Sequence, residues 1–392
     1  MFPKRFVGLA LALILGLSLL PACAPQTVTV TETAAPVTVT VTETAAVETV
    51  TVTETAAPVT VTKTAAPVTV TKTVAPSPTP VGPPITFKVS HQWAEGDVRD
   101  RLARAFGDLV TERTGGSITF EYYPARALYK PKEQWDAMRT GALDMSVFPL
   151  DYASGKVPQF SITLMPCIVP TMEVGLSWKD KQIGYSIDGL CLANGVRHVI
   201  WVWMEGGPAS KKNQIILPED VAGHKMRAAG KKFEYMLREA GAAITSMPSS
   251  EIYHALATGV LDSALTSSGS WVSYKLYEQV KYINVARDYA IWFMEEGLYM
   301  SQKSYDRMTP EQKRIFNACA AEIQDTWVLP NFKQAVQTLI EVFGKAGVEM
   351  HFMTKSEWEV WLKFAQETAW KSFAETVEGG QELLDQALAA LE

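Results

Sequence analysis

The chain has 392 residues, of which 36 are lysine or arginine and 42 are aspartate or glutamate, so its formal net charge at pH 7 is −6. This acidic balance argues against nucleic acid and anionic membrane surfaces as binding partners. The length is sufficient for two domains in addition to an N-terminal targeting segment.

The N-terminus has the features of a bacterial secretion signal. Two basic residues precede an apolar run from Phe6 to Leu20, which is shorter than the roughly 20 residues of a bilayer-spanning helix and fits a signal-peptide core. The following Leu20-Pro-Ala-Cys23 resembles a lipobox. We therefore predict a lipoprotein signal peptide at residues 1–22 and lipidation of Cys23, which anchors an extracytoplasmic protein to the cell membrane. An uncleaved anchor with an incidental cysteine is the alternative.

Residues 23–84 are predicted to form a disordered stalk. A unit rich in Thr, Val, Ala and Pro recurs from Thr31 to Pro76, and no aromatic, Leu, Ile or Met occurs between Ala24 and Pro84. Such a segment cannot bury enough apolar surface to fold. Its Thr/Val alternation suits strands, but the recurring prolines interrupt a ladder of hydrogen bonds.

The folded region is predicted to begin where the stalk ends. Alternating apolar residues predict strands at Ile85–Ser90 and Ile118–Tyr122, and apolar residues at every third or fourth position predict a helix over residues 98–109. A second helix and a strand that ends at Phe148 complete a β-α-β-α-β order, which favours a parallel sheet with helices on its faces. Ligands of such sheets bind beyond the carboxyl ends of the strands.

One phrase occurs twice, as Glu133–Asp144 (EQWDAMRTGALD) and as Glu251–Asp262 (EIYHALATGVLD). Each copy predicts the end of an amphipathic helix, a glycine stop, and an aspartate that leads into a short strand. The repeat favours two similar α/β lobes with a cleft between them, where small ligands bind. The two aspartates could be paired acids, but their identical place in a helix-ending motif favours a structural role.

The second half of the chain continues the alternation and ends in helices. The apolar run Val199–Met204 predicts a buried strand. Thr309-Pro-Glu-Gln312 is a capping box that begins a long helical stretch, which Pro330 is predicted to interrupt. Two more helices are predicted to begin at Thr354 and at about Gln381.

The sequence contains no recognisable catalytic or metal-binding pattern. The His-Glu-x-x-His, Gly-x-Ser-x-Gly, Gly-x-Gly-x-x-Gly and calcium-loop motifs are absent from it, and its five histidines are scattered. We predict no catalytic residue, no metal and no cofactor, and therefore a protein that is not an enzyme. The cysteines after Cys23 match no zinc spacing; Cys167 and Cys191 could form a disulfide, or both could be buried thiols like Cys319.

Arg227 is the residue whose position points to ligand chemistry. It ends the run Gly223-His-Lys-Met-Arg227 at a predicted strand end, where side chains face the cleft. A guanidinium offers a planar fork of donors for a carboxylate and cannot lose its charge. A surface arginine in a solvated ion pair is the alternative.

Together these segments resemble a known family. The folded region from Ile85 to about Phe373 is similar to the extracytoplasmic solute receptors of TRAP (tripartite ATP-independent periplasmic) transporters, the DctP-like family. The order and spacing of the segments carry the resemblance, rather than any one of them. The segments are Thr111–Gly116, Ile118–Pro124, Gly141–Asp144, Leu164–Pro166, Asp220–Arg227, Glu251–Leu256, Gly259–Asp262, Tyr277–Tyr282 and Met308–Gln312.

The resemblance implies an α/β, two-lobed periplasmic-binding-protein-like fold with a ligand cleft between the lobes and a long bridging helix. It implies that lobe I comprises residues 85–204 and 293–332, and lobe II residues 205–292 and 333–392. In the family, the arginine that ends the Gly-x-Lys-x-Arg run holds the carboxylate of an organic acid, and its match here is Arg227. The implied function is delivery of such an acid to the permease subunits in the membrane.

Other candidate ligand-binding residues follow predicted strand ends. They are His91, Gln92 and Trp93 after the first strand, Phe148 and Tyr152 after a later one, and Thr266 and Trp271 in lobe II. Their aromatic content favours an acid with an apolar or ring-bearing tail. Phe148 and Trp271 could instead belong to the core.

The identity of the ligand does not follow from the resemblance. Many sialic-acid-type members carry a second arginine, whose position here falls in Glu205–Pro208, where no arginine occurs. Two other functions stay open. One is a receptor for an ABC importer, because two-lobed receptors serve both systems. The other is a surface-tethered hydrolase that uses the same cleft, although the sequence shows no base near a nucleophile.

Overall fold

The structure, a computed structural model, describes residues 79–391 and five short segments nearer the N-terminus. These segments are the strands β1 (Thr27–Glu32), β2 (Thr38–Thr40), β3 (Thr49–Glu54), β4 (Ala57–Thr62) and β5 (Thr69–Thr71). β1, β3 and β4 form one small sheet, and β2 pairs with β5. Alternating Thr and Val have high strand propensity, so these segments are extended and paired where the sequence analysis predicts disorder. The predicted signal peptide (1–22) and Cys23 lie outside the described residues.

The main region, described from residue 79 to residue 391, contains twelve more strands and thirteen α-helices. The strands are β6 (Ile85–Ser90), β7 (Ile118–Tyr123), β8 (Met145–Val147), β9 (Val196–Ile200), β10 (Trp203–Ser210), β11 (Lys225–Ala228), β12 (Ala243–Ser246), β13 (Ser263–Ser267), β14 (Tyr282–Val285), β15 (Trp292–Glu295), β16 (Leu298–Ser301) and β17 (Glu349–Phe352). The helices are α1 (Val98–Arg113), α2 (Gln134–Thr140), α3 (Met172–Ser177), α4 (Gln182–Ala193), α5 (Lys231–Glu239), α6 (Ile252–Ala257), α7 (Ser268–Ser273), α8 (Gln302–Asp306), α9 (Pro310–Ile323), α10 (Leu329–Lys345), α11 (Lys355–Ala365), α12 (Lys371–Thr376) and α13 (Gly380–Ala389).

The strands of the main region form two mixed sheets. The first has the order β7-β6-β8-β16-β9, with the predicted parallel pairing of β6 to β7 and to β8. The second has the order β12-β11-β13-β10-β14-β17, and β15 pairs with the beginning of β10. β11 pairs in parallel with β12 and β13, whereas β10 is antiparallel to its neighbours. We call the parts built on the first and second sheets the first and second lobes.

The chain passes between the two sheets within the apolar run 199–204. The sequence predicts one strand here, but β9 ends at Ile200 in the first sheet and β10 begins at Trp203 in the second. Trp201 and Val202 lie between them and are buried. The run is apolar throughout because both of its halves belong to buried strands, so composition alone cannot reveal the division.

The two repeated aspartates have the same structural role in the two lobes. The Asp144 carboxylate accepts the N–H of Lys88 in β6 at 2.8 Å, and the Asp262 carboxylate accepts the N–H of Lys225 in β11 at 3.0 Å. Each aspartate therefore fixes the turn after a helix to a strand of its own sheet. Asp144 also accepts hydrogen bonds from Ser304 at 2.6 Å and Arg307 at 2.9 Å. This confirms the structural interpretation of the repeat.

A long helix connects the lobes. α9 packs on α1 and β9 of the first lobe, and α10 packs on α7 and β17 of the second. The predicted interruption at Pro330 is wrong, because a π-helical turn at Gln324–Val328 joins α9 to α10 without a break. A wider turn accommodates a proline, which lacks the N–H of the regular helical pattern.

The C-terminal segment contacts both lobes. α11 packs beside the second lobe, where the Trp361 indole donates to the Ile216 carbonyl at 2.7 Å, and the chain then reaches the first lobe. The Trp370 indole donates to the carbonyl of Pro166 at 2.8 Å, α13 packs on α4, and Ser186 donates to Gln386 at 2.8 Å. The sequence analysis assigns residues 333–392 to lobe II, but the structure places the last part of this range beside lobe I. Within the residues that the structure describes, no helix is long and apolar enough to cross a bilayer.

Candidate ligand-binding groove

Arg227 lies at the carboxyl end of β11, between the lobes, and is only 1% exposed. Its Nε donates to the Met247 carbonyl at 2.9 Å, and its Nη1 donates to the Leu265 carbonyl at 2.8 Å. Its Nη2 donates to the hydroxyl of Tyr152 at 3.2 Å. A guanidinium has five N–H donors, so two of them have no acceptor among the described residues. No carboxylate of the described chain forms an ion pair with this buried cation.

Tyr152 brings the first lobe to Arg227. It belongs to a 3₁₀ turn at Leu150–Ala153 that follows β8, and its ring packs edge-on to Phe148 with centroids 6.2 Å apart. Its hydroxyl oxygen also accepts the backbone N–H of Ser249, in the second lobe, at 3.1 Å. Tyr152 and Arg227, which are both candidate ligand-binding residues, are therefore in direct contact across the groove.

A second buried arginine, Arg99, crosses the same groove from α1. It makes a two-point ion pair with Asp97, at 2.7 and 2.8 Å, and bonds Glu296 at 2.7 Å. It also donates to the Ser267 hydroxyl of the second lobe at 3.0 Å, and its guanidinium lies 4.1 Å from the ring centre of Trp93. Burial by itself lowers the pKa of Arg99, but the two carboxylates raise it above its usual value.

Sequence reasoning missed Arg99. A local signal was present, because Asp97 and Arg99 directly follow the predicted cleft segment, and Asp97 caps α1 by accepting the Arg99 N–H at 2.9 Å. The partners Glu296 and Ser267 are distant in the sequence, so the ion-pair network itself has no local signature.

Two carboxyl groups near Arg99 are fully buried. Burial raises the pKa of Glu205 to about 8 and the pKa of Glu296 to about 7, although Arg99 opposes both shifts. One oxygen of Glu205 has no hydrogen-bond partner among the described residues. Glu205 is therefore mainly neutral at pH 7, which limits the negative charge that this part of the groove carries.

The segment His91–Trp93 contacts the second lobe, but its side chains are already engaged. His91 bonds Asp100 at 3.1 Å, and the Trp93 indole donates to the Ser270 hydroxyl at 3.3 Å. The hydroxyl of Tyr274 donates to the Gln92 carbonyl at 3.0 Å. The Gln92 side-chain oxygen has no partner in the described part of the chain, so it stays available to a ligand that donates a hydrogen bond.

The structure places two of the predicted aromatic residues in the core. Trp271 packs edge-on to Phe343 in the second lobe, and its indole donates to the Gly207 carbonyl at 3.0 Å. Phe148 stacks on Trp135 in the first lobe with ring centres 6.0 Å apart. Both side chains have no exposed surface, which is the alternative that the sequence analysis left open.

Thr266 lies on β13 one residue beyond Leu265, whose carbonyl holds Arg227, and it is buried. It pairs with Gly207 of β10. Two positions of the segment Glu205–Pro208, where the second arginine of some family members would fall, leave no room for a side chain. A Cβ at Gly206 would lie 2.2 Å from the Thr266 carbonyl oxygen, and a Cβ at Gly207 would lie 2.0 Å from the Asn284 carbonyl oxygen, so neither position can carry a side chain.

A cavity of about 340 Å³ opens beside the Arg227–Tyr152 contact. Tyr152 and Met247, which both bond Arg227, lie in its wall. Residues of both lobes form the rest of the wall, and most of them have polar or charged side chains. It comprises Lys132, Asp151, Ser154, Gly155, Lys156, Ala229, Gly230, Lys231, Glu234 and Ser246. The cavity is large enough for a small organic acid.

The part of the chain that the structure describes contains neither a metal-binding cluster nor a disulfide. No group of three or more His, Cys, Asp or Glu side chains there is arranged to hold a metal ion. Cys167, Cys191 and Cys319 are free and buried, so no disulfide joins Cys167 to Cys191. Burial raises the pKa of the Cys167 and Cys191 thiols, which keeps them in the unreactive protonated form.

Two α/β lobes, a bridging helix and a buried cation in the groove between them define a two-lobed solute-binding protein. The comparison with protein families agrees with this class. The model of the DctP family, described as bacterial extracellular solute-binding protein, family 7, matches residues 89–376. The chain belongs to this family.

Individual relatives support the same assignment. A solute-binding protein of Albidiferax ferrireducens is 38% identical over 302 residues, which cover 76% of this chain and 89% of the relative. A C4-dicarboxylate-binding periplasmic protein, DctP, of Rhodobacter capsulatus is 25% identical over 71% of this chain and 83% of the relative.

A solved structure shares the fold over the whole main region. It is a TRAP periplasmic solute-binding protein of Rhodoferax ferrireducens with bound malonate, which is 37% identical. It superposes with a TM-score of 0.76 and covers 78% of this chain and 98% of its own. A receptor of Chromohalobacter salexigens with bound D-glucuronate has a TM-score of 0.70 at 18% identity, covering 78% of this chain and 99% of its own, and shows the fold alone.

Proposed function

We propose that the protein is an extracytoplasmic receptor that binds the carboxylate of an organic acid at Arg227 and delivers the acid to a TRAP-type membrane permease. One observation carries the proposal. Arg227 is buried, and its partners within the described residues are two neutral carbonyls and a phenol. A buried charge without a counter-charge is costly, so this position calls for an anion.

The contrast with Arg99 supports this argument. Both guanidinium groups are buried in the same groove, but Arg99 already has Asp97 and Glu296 as counter-charges. A ligand carboxylate at Arg99 would have to displace one of them. Among the described residues, Arg227 has free N–H donors and no carboxylate partner, so it is the favoured anion site of the two.

The comparisons support a carboxylate as the ligand class. The Rhodoferax ferrireducens structure holds malonate, and the Rhodobacter capsulatus relative is a C4-dicarboxylate-binding protein. The expectation of an apolar or ring-bearing tail loses support, because Phe148 and Trp271 lie in the core and most side chains in the wall of the cavity beside Tyr152 are polar or charged. We therefore propose a ligand whose tail forms hydrogen bonds.

The proposed receptor is not an enzyme. The thiols of the described region are buried, and the His91 imidazole bonds Asp100 rather than a nucleophile. The hydrolase alternative thus gains no support. The ABC-importer alternative differs only in the membrane partner. The neighbouring genes distinguish the two, because genes for two membrane subunits without an ATPase favour a TRAP permease.

We also propose that lipidation of Cys23 anchors the receptor to the cell membrane after removal of residues 1–22, which leaves residues 24–84 as a tether. The apolar run from Phe6 to Leu20 and the lipobox-like Leu20–Cys23 support this. Growth with a radiolabelled fatty acid should label the wild-type chain but not Cys23→Ala. Equal labelling of both would refute the anchor.

Thermal unfolding in the presence of organic acids tests the receptor function. A panel of acetate, malonate, succinate and glucuronate should contain at least one acid that raises the melting temperature in proportion to the logarithm of its concentration, because ligand bound only to the folded state stabilises it by mass action. Methylamine, a cation of similar size to acetate, is the control and should have no effect. A panel without any stabilising acid would argue against the receptor function.

A further inference from the structure

The hydroxyl of Tyr152 has an unused hydrogen. Its oxygen is contacted by the backbone N–H of Ser249 at 3.1 Å and by Nη2 of Arg227 at 3.2 Å. Both partners can only donate, so the oxygen accepts both bonds and its own hydrogen serves neither. No acceptor within the described residues bonds this hydrogen. Tyr152 is only partly buried, so this hydrogen is within reach of a ligand in the groove.

The geometry also makes this hydroxyl dependent on closure of the groove. Tyr152 is fixed in the first lobe by its edge-on contact with Phe148, whereas Ser249 and Arg227 belong to the second lobe. The two contacts to its oxygen exist only while the lobes are together. The free hydrogen of Tyr152 and the free N–H groups of Arg227 are then neighbours, beside the polar cavity in whose wall Tyr152 lies.

We propose that Tyr152 donates its hydroxyl hydrogen to one oxygen of the ligand carboxylate while Arg227 donates to the carboxylate as well, so that the carboxylate site is complete only in the closed groove. This inference rests on the proposed carboxylate-receptor function. Tyr152 then has two linked roles. It donates a hydrogen bond to the carboxylate, and its contacts with the second lobe make ligand binding favour the closed groove. The Ser249 N–H holds the phenol oxygen in place and so directs its hydrogen away from both existing partners.

An opposite role for Tyr152 is physically possible and predicts the opposite result. If the phenol merely capped Arg227, it would compete with the carboxylate, and its removal would strengthen binding. If it donates to the carboxylate, its removal weakens binding. The sign of the change in affinity therefore decides between the two roles.

Tyr152→Phe is the informative variant, because it keeps the ring on Phe148 and removes only the hydroxyl. Tyr123→Phe is the matched control, since its hydroxyl bonds Glu121 at an exposed position of the first lobe. Calorimetry of the full chain in detergent, with acetate, malonate, succinate and glucuronate, should show about 10- to 150-fold weaker binding for Tyr152→Phe, the value of a hydrogen bond to a charged group. Tyr123→Phe should bind like the wild type.

Closure of the groove is measured in the same proteins as the distance between two fluorescent labels, one on each lobe. Tyr185→Cys and Val260→Cys place the labels at exposed positions, at 58% and 52% exposure, and the buried native thiols stay unlabelled. Malonate or another binding acid should shorten the distance between the labels in the wild type. At saturation, the Tyr152→Phe protein should spend less time closed than the wild type.

The outcomes separate this inference from the proposed function. If the wild type binds none of the four acids, both are refuted. If the wild type binds and Tyr152→Phe binds as tightly or more tightly, only the role of Tyr152 is refuted. Weaker binding with unchanged closure at saturation refutes the link between the carboxylate contact and closure. Weaker binding with reduced closure supports the inference.

Discussion

Replacement of Arg227 is the most direct test of the groove. In Arg227→Ala the ligand carboxylate would enter the closed groove without its cation. The loss of one partner from a buried, hydrogen-bonded charge pair costs about 2–5 kcal/mol of binding free energy. Since about 1.4 kcal/mol corresponds to a tenfold change in affinity, we expect affinity to fall by roughly 30- to several-thousand-fold.

The magnitude depends on features of the structure that act in the same direction. Arg227 is 1% exposed, so water cannot replace it at little cost. The neighbouring Arg99 is held by Asp97 and Glu296 and cannot take over the carboxylate. Arg227→Lys should recover only part of the loss, because an ammonium group is a point charge and cannot reproduce the planar fork of donors.

The effect on binding must be separated from the effect on stability. Arg227→Ala removes an uncompensated buried charge, which favours the folded state, but it also leaves the carbonyls of Met247 and Leu265 without a donor, at about 1–3 kcal/mol each. The effect on binding is therefore measured as the increase in melting temperature that an acid produces. Each protein is compared with its own unliganded state, so that a change in intrinsic stability does not enter the result. Arg238→Ala is the matched control, because Arg238 is an exposed arginine of the same lobe. A well-folded Arg227→Ala protein with wild-type affinity would refute the site.

Two further predictions concern stability. Asp144→Ala should lower the free energy of unfolding by about 2–4 kcal/mol, because three donors lose a charged acceptor. Asp262→Ala should cost less, because its carboxylate accepts from two donors, one of which is the exposed Lys212. Urea denaturation measures both, and equal costs would contradict this reasoning. Burial raises the pKa of Glu205 to about 8 and the pKa of Asp151 to about 7. The folded chain therefore holds protons that the unfolded chain releases above about pH 4.5, so its free energy of unfolding should fall as the pH rises from 5 to 8. In Glu205→Gln, the free energy of unfolding should fall less steeply over this pH range. The same slope as in the wild type would exclude Glu205 as a source of the pH dependence.

The predictable parts of this fold depend on local signals. The phrase that contains Asp144 recurs with Asp262 because a helix end, a glycine turn and a strand must join in the same way in both lobes, and both carboxylates bond a backbone N–H of a neighbouring strand. The place of Arg227 near a strand end was predictable for a similar reason, since the run Gly223–Arg227 carries a local strand signal.

The less predictable parts depend on contacts between distant residues. Trp271 and Phe148 follow strand ends, as Tyr152 does, yet they turn into the core, because the direction of each side chain is set by partners such as Phe343 and Trp135. The ion pair of Arg99 with Glu296 joins residues from distant parts of the chain. A pattern within one segment contains no signal for such a pairing.

The groove thus holds two buried arginines, of which one has carboxylate partners and the other has none among the described residues. This difference constrains the ligand. Arg99 already binds two carboxylates and connects the lobes through the Ser267 hydroxyl. If the ligand has a second carboxylate, that group cannot use Arg99 without breaking a native ion pair. It must instead lie towards the polar cavity, where the wall contains Lys132 and Lys231. Because these lysines are exposed, they are well hydrated and would contribute much less binding energy than Arg227. One carboxylate should therefore dominate the affinity, and a diacid should gain little over a monoacid that makes equivalent hydrogen bonds.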